Sequence, residues 1–504
     1  MKQWLPAAVC ALGLGSTTAM AAADTVGLGT GRNGPLTLPT VPTPPPPTPS
    51  IINSYAQVTA PLASKATSIQ IGTCRGDTAC FAEGDLVLVY QATGLQPVPD
   101  SGVQNPIDLS NNPVGRWEFA RLAAGTTIGH LELTEPLIYD YAPNVTQVIR
   151  VPEYTKVTIE LGRSITAYAW DGAAGGVIAF LATAEVDNRG EINADAAGFR
   201  GGVYTQGNSA DRGCSDLDEA TPKGAQKGEG IGAGLYGATQ TGRGNVTNGA
   251  GGAVCYRSGG GGGGNGGDGG QGGHSDPTDG SRHVGGTGGA TLSYGNKATS
   301  DTYLRRLTFG GGGGAGHGTA ATSLGGTGGA GGGIVFLRAS QLQGSGTITA
   351  AGAPGGLNNT SIEGGGGGGA GGTIYVRIVR AAACGQILAT GGIGATSSSP
   401  RVGPGGGGSA GHVLLQALSG GSCNTGAILA TGASPGTQQN PADGSYGAMA
   451  GGPELKAGEP HPSVNELKYG FIIPAPPVVT TPTNGSFINN VRPPSRARPG
   501  PTPR

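Results

Sequence analysis

The chain has 504 residues, of which 103 are glycine and 36 proline, with 30 basic and 31 acidic side chains and a formal net charge of −1. Glycine at about three times its usual ~7% share leaves much of the chain without side chains for an ordinary core. The near-zero charge provides no basic field for nucleic acid. The length has room for two or three domains.

In chain order, Met1-Lys2-Gln3-Trp4, the apolar run Leu5 to Gly15 and the small residues Ala19 to Ala23 read as a secretory signal peptide over residues 1–23. Cys10 leaves with it, and Val9 stands where a lipoprotein site needs a small residue. Residues 24–50 end in Pro42-Thr43-Pro44-Pro45-Pro46-Pro47-Thr48-Pro49 and read as an extended linker. Over residues 51–150, short β-rich segments such as Asp85 to Tyr90 and Trp117 to Arg121 lie between Gly, Asp, Asn and Pro, which predicts a small all-β module. No later stretch has the ~18 consecutive apolar residues of a membrane span.

Residues 151–450 repeat. Gly190-Glu191-Ile192-Asn193-Ala194, Gly346-Thr347-Ile348-Thr349-Ala350, Gly385-Gln386-Ile387-Leu388-Ala389 and Gly426-Ala427-Ile428-Leu429-Ala430 share one form, and Arg163-Ser164-Ile165-Thr166-Ala167 is a looser copy. Each full copy follows an apolar run: Val177 to Leu181, Ile334 to Leu337, Ile374 to Ile378 and Val413 to Leu415. Ile348, Ile387 and Ile428 are spaced by 39 and 41 residues. Two short strands at a period of about 40 predict stacked coils in which each unit covers its neighbour's apolar edge. The fold expected is therefore all-β, a β-solenoid or β-helix-like stack. Residues 201–333 form one long insertion within it.

Glycine runs such as Gly259 to Gly264, Gly310 to Gly314, Gly364 to Gly369 and Gly405 to Gly408 have two physical readings. They are either flexible coil or extended glycine helices with three residues per turn, packed so closely that only glycine fits. Their fixed phase before the apolar strands favours the second, with backbone groups bonded between neighbours.

Six cysteines remain after the signal, an even number in an exported chain, which suggests disulfides. Cys384 and Cys423 lie 39 residues apart, one repeat, and so at equivalent places on adjacent coils. Cys74 and Cys80 bracket a local loop, leaving Cys214 with Cys255.

The acidic group Asp211, Asp216, Asp218 and Glu219, with Arg212, Lys223 and Lys227 nearby, is the candidate ligand or Ca²⁺ loop, because coiled β-folds often cleave polysaccharides with clustered acids, Ca²⁺ and a base. Its plainer reading is a solvated loop pinned by a disulfide. His274, His283 and His317, with Asp276 and Asp279, lack the close spacing of metal ligands and read as loop residues. Trp170, Tyr204, Tyr236, Tyr256, Tyr294 and Tyr303 either stack on sugars or fill gaps beside glycine strands. No nucleophile motif sits on a strand-to-helix turn, and no helix is predicted.

Val151-Pro152-Glu153-Tyr154-Thr155, Trp170-Asp171-Gly172, Gly198-Phe199-Arg200-Gly201-Gly202, Lys227-Gly228-Glu229-Gly230 and Gly242-Arg243-Gly244-Asn245-Val246, with the glycine runs, resemble the glycine-rich N-terminal part of the myxobacterial adventurous gliding motility protein AgmC family. The resemblance spans about residues 51–450. It implies an exported cell-surface protein that continues into immunoglobulin-like repeats, and it offers no catalytic residues. Residues 451–504 depart from that pattern: Pro476 to Ser486 looks like the opening strand of such a repeat, followed by a Pro/Arg-rich stretch. A sandwich needs about seven strands, so a disordered tail after an aborted start is expected, by truncation or frameshift.

These features together predict a non-enzymatic cell-surface or matrix protein, at the outer surface or in the periplasm. It would have a structural or adhesive role in gliding and contact matrix components or polysaccharide. The alternative is a polysaccharide-binding or polysaccharide-cleaving coil.

Overall fold

A computed structural model describes residues 26–40, 48–77, 80–203, 217–218, 224–254, 256–275, 284–296, 301–319, 323–357, 363–381, 383–397, 399, 401–417, 428–438 and 445–455. All belong to one compact unit that ends at Gly470. The protein is essentially all-β with parallel sheets, and the one helix among the described residues is the single turn Asp301–Leu304.

Two parallel sheets carry the repeats. In the first, Leu36–Leu38, Val157–Ile159, Val177–Asn188, Ile334–Gln343, Thr373–Ala381 and His412–Ala417 lie side by side in that order. In the second, Thr48–Ile51, Arg163–Thr166, Glu191–Asn193, Thr347–Thr349, Gln386–Leu388 and Ile428–Leu429 follow the same order. Ile165, Ile192, Ile348, Ile387 and Ile428 stand opposite one another along this second sheet, so the isoleucines of the sequence repeat form one ladder. Val177–Asn188 pairs directly with Ile334–Gln343, and the 201–333 insertion leaves and rejoins the sheet without breaking it.

The apolar runs are continuous rather than alternating because both faces of the first sheet are buried, as is usual for parallel strands. One face, with Ile178, Phe180, Val335, Leu337, Ile374 and Val376, packs against the isoleucine ladder. The other, with Ala179, Leu181, Phe336, Tyr375 and Leu414, packs against Tyr55, Leu88, Tyr90 and Trp117 of the N-terminal module. That module is an antiparallel sheet in the order Arg75–Gly76, Ser54–Gln57, Thr146–Val151, Leu86–Gln91, Trp117–Arg121. Its other face closes a second core with Ile69, Leu131 and Leu137. Residue 150 is therefore no gap: Thr146–Val151 ends where Glu153–Tyr154 joins the first parallel sheet.

Residues 24–50, read as a linker, need correcting in part. Leu36–Leu38 and Thr48–Ile51 are strands that begin the two parallel sheets. Leu28 is buried, and the Thr30 N–H donates to the buried Glu153 carboxylate at 2.9 Å. The abundant prolines masked these pairings, and the proline run at 41–47 lies outside the described residues.

The glycine segments obey a simple rule, shown by residues 259–264. The N–H groups of Gly259 and Gly262 donate to Gly273 and Gly270, those of Gly260 and Gly263 to Gly365 and Gly368, and those of Gly261 and Gly264 to Gly251 and Asn248. The carbonyls of the same pairs accept from Gly286 and Gly289, from Gly406 and Ser409, and from Gly314 and Gly311. Every donor and acceptor of the run is thus used, at 2.8–3.1 Å, among six neighbouring segments. The bonding direction returns every third residue. None of these glycines has a positive φ, so glycine is required for space and not for an unusual backbone angle. A Cβ on Gly259, Gly260 or Gly262 would lie 1.9–2.0 Å from the carbonyl oxygen of Pro404, Gly314 or Gly407.

This crowding makes a direct prediction. Gly262→Ala should destabilise the protein by about 3 kcal/mol or more, because rigid backbone has to move to admit the methyl group. Gly72→Ala, whose Cβ would meet nothing closer than 3.6 Å, should be neutral or stabilising by up to about 1 kcal/mol through loss of unfolded-state freedom. Denaturant midpoints of the two variants measure the contrast, and equal effects would contradict the packing rule.

Candidate functional site

Asp218 is the member of the acidic candidate loop that the described residues include; Asp211, Asp216 and Glu219 lie outside them. Asp218 is held in place from behind. Its carboxylate pairs with the ammonium of Lys227, which is 1% exposed and also donates to Ser101 Oγ at 3.0 Å. The Gly244 N–H binds the Leu217 carbonyl at 2.9 Å, fixing the backbone beside it. Burial pulls the Lys227 pKa down, and the Asp218 pair partly offsets that shift.

Asp218 and Ser101 border a cleft of about 520 Å³. Residues 98–101 of the N-terminal module form one wall, Asp218 another, and residues 235–246 of the glycine region the third. Thr241 Oγ1 and Asn245 Oδ1 are buried in that third wall without a hydrogen-bond partner among the described residues. The Asn245 amide nitrogen is engaged, donating to the Val103 carbonyl at 2.9 Å and the Thr247 carbonyl at 3.0 Å. Ser101 carried no sequence signal, because its partner Lys227 is 126 residues away.

Among the described residues, no group of three or more His, Cys, Asp or Glu could hold a metal ion. His283, Asp276 and Asp279 lie outside them. His274 stacks flat on Tyr446, with ring centres 5.7 Å apart. His317, read as a loop residue, is instead fully buried; its Nδ1 accepts from the Arg257 N–H at 3.4 Å, and burial pushes its pKa down to about 4. Nearby, Arg257 lies 3.6 Å from the Glu363 carboxylate, to which Thr319 donates.

Cys74 and Cys80 form the predicted local disulfide, with Cα atoms 6.2 Å apart. Cys384 is also disulfide-bonded and nearly buried. Its expected partner Cys423, like Cys214 and Cys255, lies outside the described residues.

Several candidate sugar-stacking aromatics face inward. Trp170 packs on Phe199 and Phe309, while Tyr294 and Tyr303 are buried around His412. Tyr236 is half-buried beneath the Arg200 guanidinium, 4.3 Å from the ring centre. Tyr256 lies beside Arg257, and Tyr204 is outside the described residues. Two polar clusters, one partly and one fully buried, had no sequence signature. Arg200 grips Glu229 with two hydrogen bonds of 2.9 Å, and Tyr303 donates to Glu454 at 2.9 Å beside His412.

The bundle also presents a regular outer face. Gly352 and Gly355 donate to Thr390 and Ile393, and Gly391, Gly394 and Ser397 donate to Thr431, Ser434 and Thr437, so three segments run parallel. Every third side chain along them is exposed: Pro354 and Leu357, then Ile393 and Thr396, then Thr431, Ser434 and Thr437. None of these carries a charge.

Family models, curated proteins and solved structures were all compared with the chain, and none matches. No helix among the described residues is long and apolar enough to cross a membrane.

The buried histidine gives the glycine bundle a pH signature. Below about pH 6.5 the unfolded chain takes up a proton at residue 317, which the folded chain refuses until about pH 4. Stability is therefore lost as pH falls through that window, by about 3 kcal/mol in total from this one group. His317→Gln should flatten that part of the stability–pH curve, measured by denaturant unfolding at pH 4 to 7. An unchanged slope would show that His317 is not the group responsible.

Proposed function

We propose that this chain is a non-enzymatic exported protein of the cell surface or matrix, with a structural and adhesive role. On this reading the two parallel sheets form a β-solenoid, and the glycine segments form a polyglycine-helix-like bundle beside it. The observation that carries the proposal is the bonding of residues 259–264 to six neighbours with no room for a Cβ. Backbone bonded on all sides in this way leaves little slack within the paired segments, which suits a stiff element that bears contact. The uncharged, evenly spaced outer face of residues 351–357, 390–397 and 431–438 suits adhesion to a neutral matrix component. The resemblance to the AgmC family suggests gliding as the setting, and the signal-like residues 1–23 support export.

The alternative, a polysaccharide-binding or polysaccharide-cleaving protein working through residues 211–219, has one observation in its favour, the cleft at Asp218.

Fractionation tests the leading reading. Antibody to residues 51–150 should label intact cells that make the protein, and the purified chain should release no reducing ends from soluble glycans. Label appearing only after lysis, in the cytosolic fraction, would overturn the surface role. Turnover lost on Asp218→Asn would overturn the non-enzymatic one.

A further inference from the structure

Among the described residues, the second parallel sheet is unpaired at both ends. Thr48–Ile51 pairs on one side, with Arg163–Thr166, and Ile428–Leu429 on one side, with Gln386–Leu388. An edge strand presents a row of N–H and C=O groups to any strand able to add to it.

The groups that face outward follow from the parallel ladder, in which successive residues bond to opposite neighbours. At the last edge the Ala389 N–H donates to the Leu429 carbonyl at 2.8 Å. Leu429 is therefore turned inward, and the backbone groups of Ile428 and Ala430 point away from the sheet. At the first edge Pro49 has no N–H, yet it stands in unbroken register with Ser164. It therefore occupies an outward position, as prolines in edge strands do. Ile51, two residues on, faces the same way.

The two edges are complementary. Ser50 lies in the column of Ile165, Ile192, Ile348, Ile387 and Ile428, and Ile51 in the column of Leu388 and Leu429. If the Thr48–Ile51 strand of a second copy followed Ile428–Leu429 in this register, its Ile51 N–H would donate to the Ile428 carbonyl. The Ile428 and Ala430 N–H groups would donate to its Pro49 and Ile51 carbonyls. The proline removes one bond from this joint and leaves three. The joint also places Ile51, 37% exposed, beside Leu429, 44% exposed, so each covers the other. Neither edge carries a charged residue of the kind that blunts strand addition.

We propose that this chain associates with copies of itself head to tail, Ile428–Leu429 of one copy pairing in parallel with Thr48–Ile51 of the next. The two patches differ, so the contact is heterologous and propagates as a linear series. It is small beside the ~800 Å² per partner of a stable interface, so association is weak and requires a high local concentration. This goes beyond the surface reading and does not depend on it: a chain that stayed single would still be a scaffold.

The test is sedimentation velocity on the purified full chain from about 10 µM to about 1 mM. The average mass should rise with concentration above that of one chain. Leu429→Lys and Ile51→Lys, each at an exposed position, should weaken association about tenfold or more. Ala430→Pro, which removes an outward donor, replaces Leu429→Lys if that variant does not fold. An equimolar mixture of the two lysine variants should form pairs and stop there, because the Ile51→Lys chain keeps its last edge and the Leu429→Lys chain its first. Three results would overturn the proposal: the mass of a single chain at every concentration, variants that associate as the unaltered chain does, or a mixture that forms no pairs or grows beyond them.

Discussion

The structure depends on backbone hydrogen bonds between segments that have no side chains. A buried N–H or C=O must find a partner, and a chain with three residues per turn directs these groups outward in three directions. A glycine run in the interior is satisfied only when surrounded, and residues 259–264 are surrounded by six segments. Close approach then excludes every larger residue. The same bond both requires glycine and makes it useful.

The bundle also hands its spacing to the sheets. Ile334, Thr373 and His412 open successive strands of the first sheet, and their N–H groups donate to Gly176, Gly333 and Gly372. The stacking of glycine segments thus continues into strand pairing without a change of register. Each glycine ordered costs roughly 0.5–1 kcal/mol relative to alanine, and each hydrogen bond returns about 0.5–1.5 kcal/mol net. The apolar layers add to these bonds. One is the isoleucine ladder. The other is the aromatic seam where Phe336 stacks on Tyr375 at 4.6 Å and Trp117 and Phe119 close over them. The N-terminal module is therefore a cover for the first sheet as much as a unit of its own. Arg338 is buried beneath that cover, its guanidinium over the rings of Trp117, Phe119 and Phe336.

What could be read from the sequence was what repeats. The Gly-x-Ile-x-Ala copies located the second sheet, and the 40-residue interval gave the isoleucine register, because stacking turns a sequence period into a spatial one. The Cys74–Cys80 bond was legible for its short loop. Non-local contacts left no such trace. Leu36–Leu38 was hidden among prolines, and the module's docking on Phe336 and Tyr375 required knowing which face of the sheet remained apolar. The candidate site was half legible: Asp218 stood out among acids, but Ser101, Thr241 and Asn245 reach it from separate stretches. The burial of His317 was not legible because glycine-rich surroundings usually mean an exposed loop, whereas here they are hydrogen-bonded segments with no room for a Cβ.

Amide hydrogen exchange tests the central claim most directly, since it reads the backbone bonds themselves. In the native chain, the amides of residues 259–264, 311–314, 365–368 and 406–409 should exchange as slowly as those of Val177–Asn188 and Ile334–Gln343. Exchange of these glycine amides at the rate of an unstructured peptide, with the strands still protected, would contradict the account.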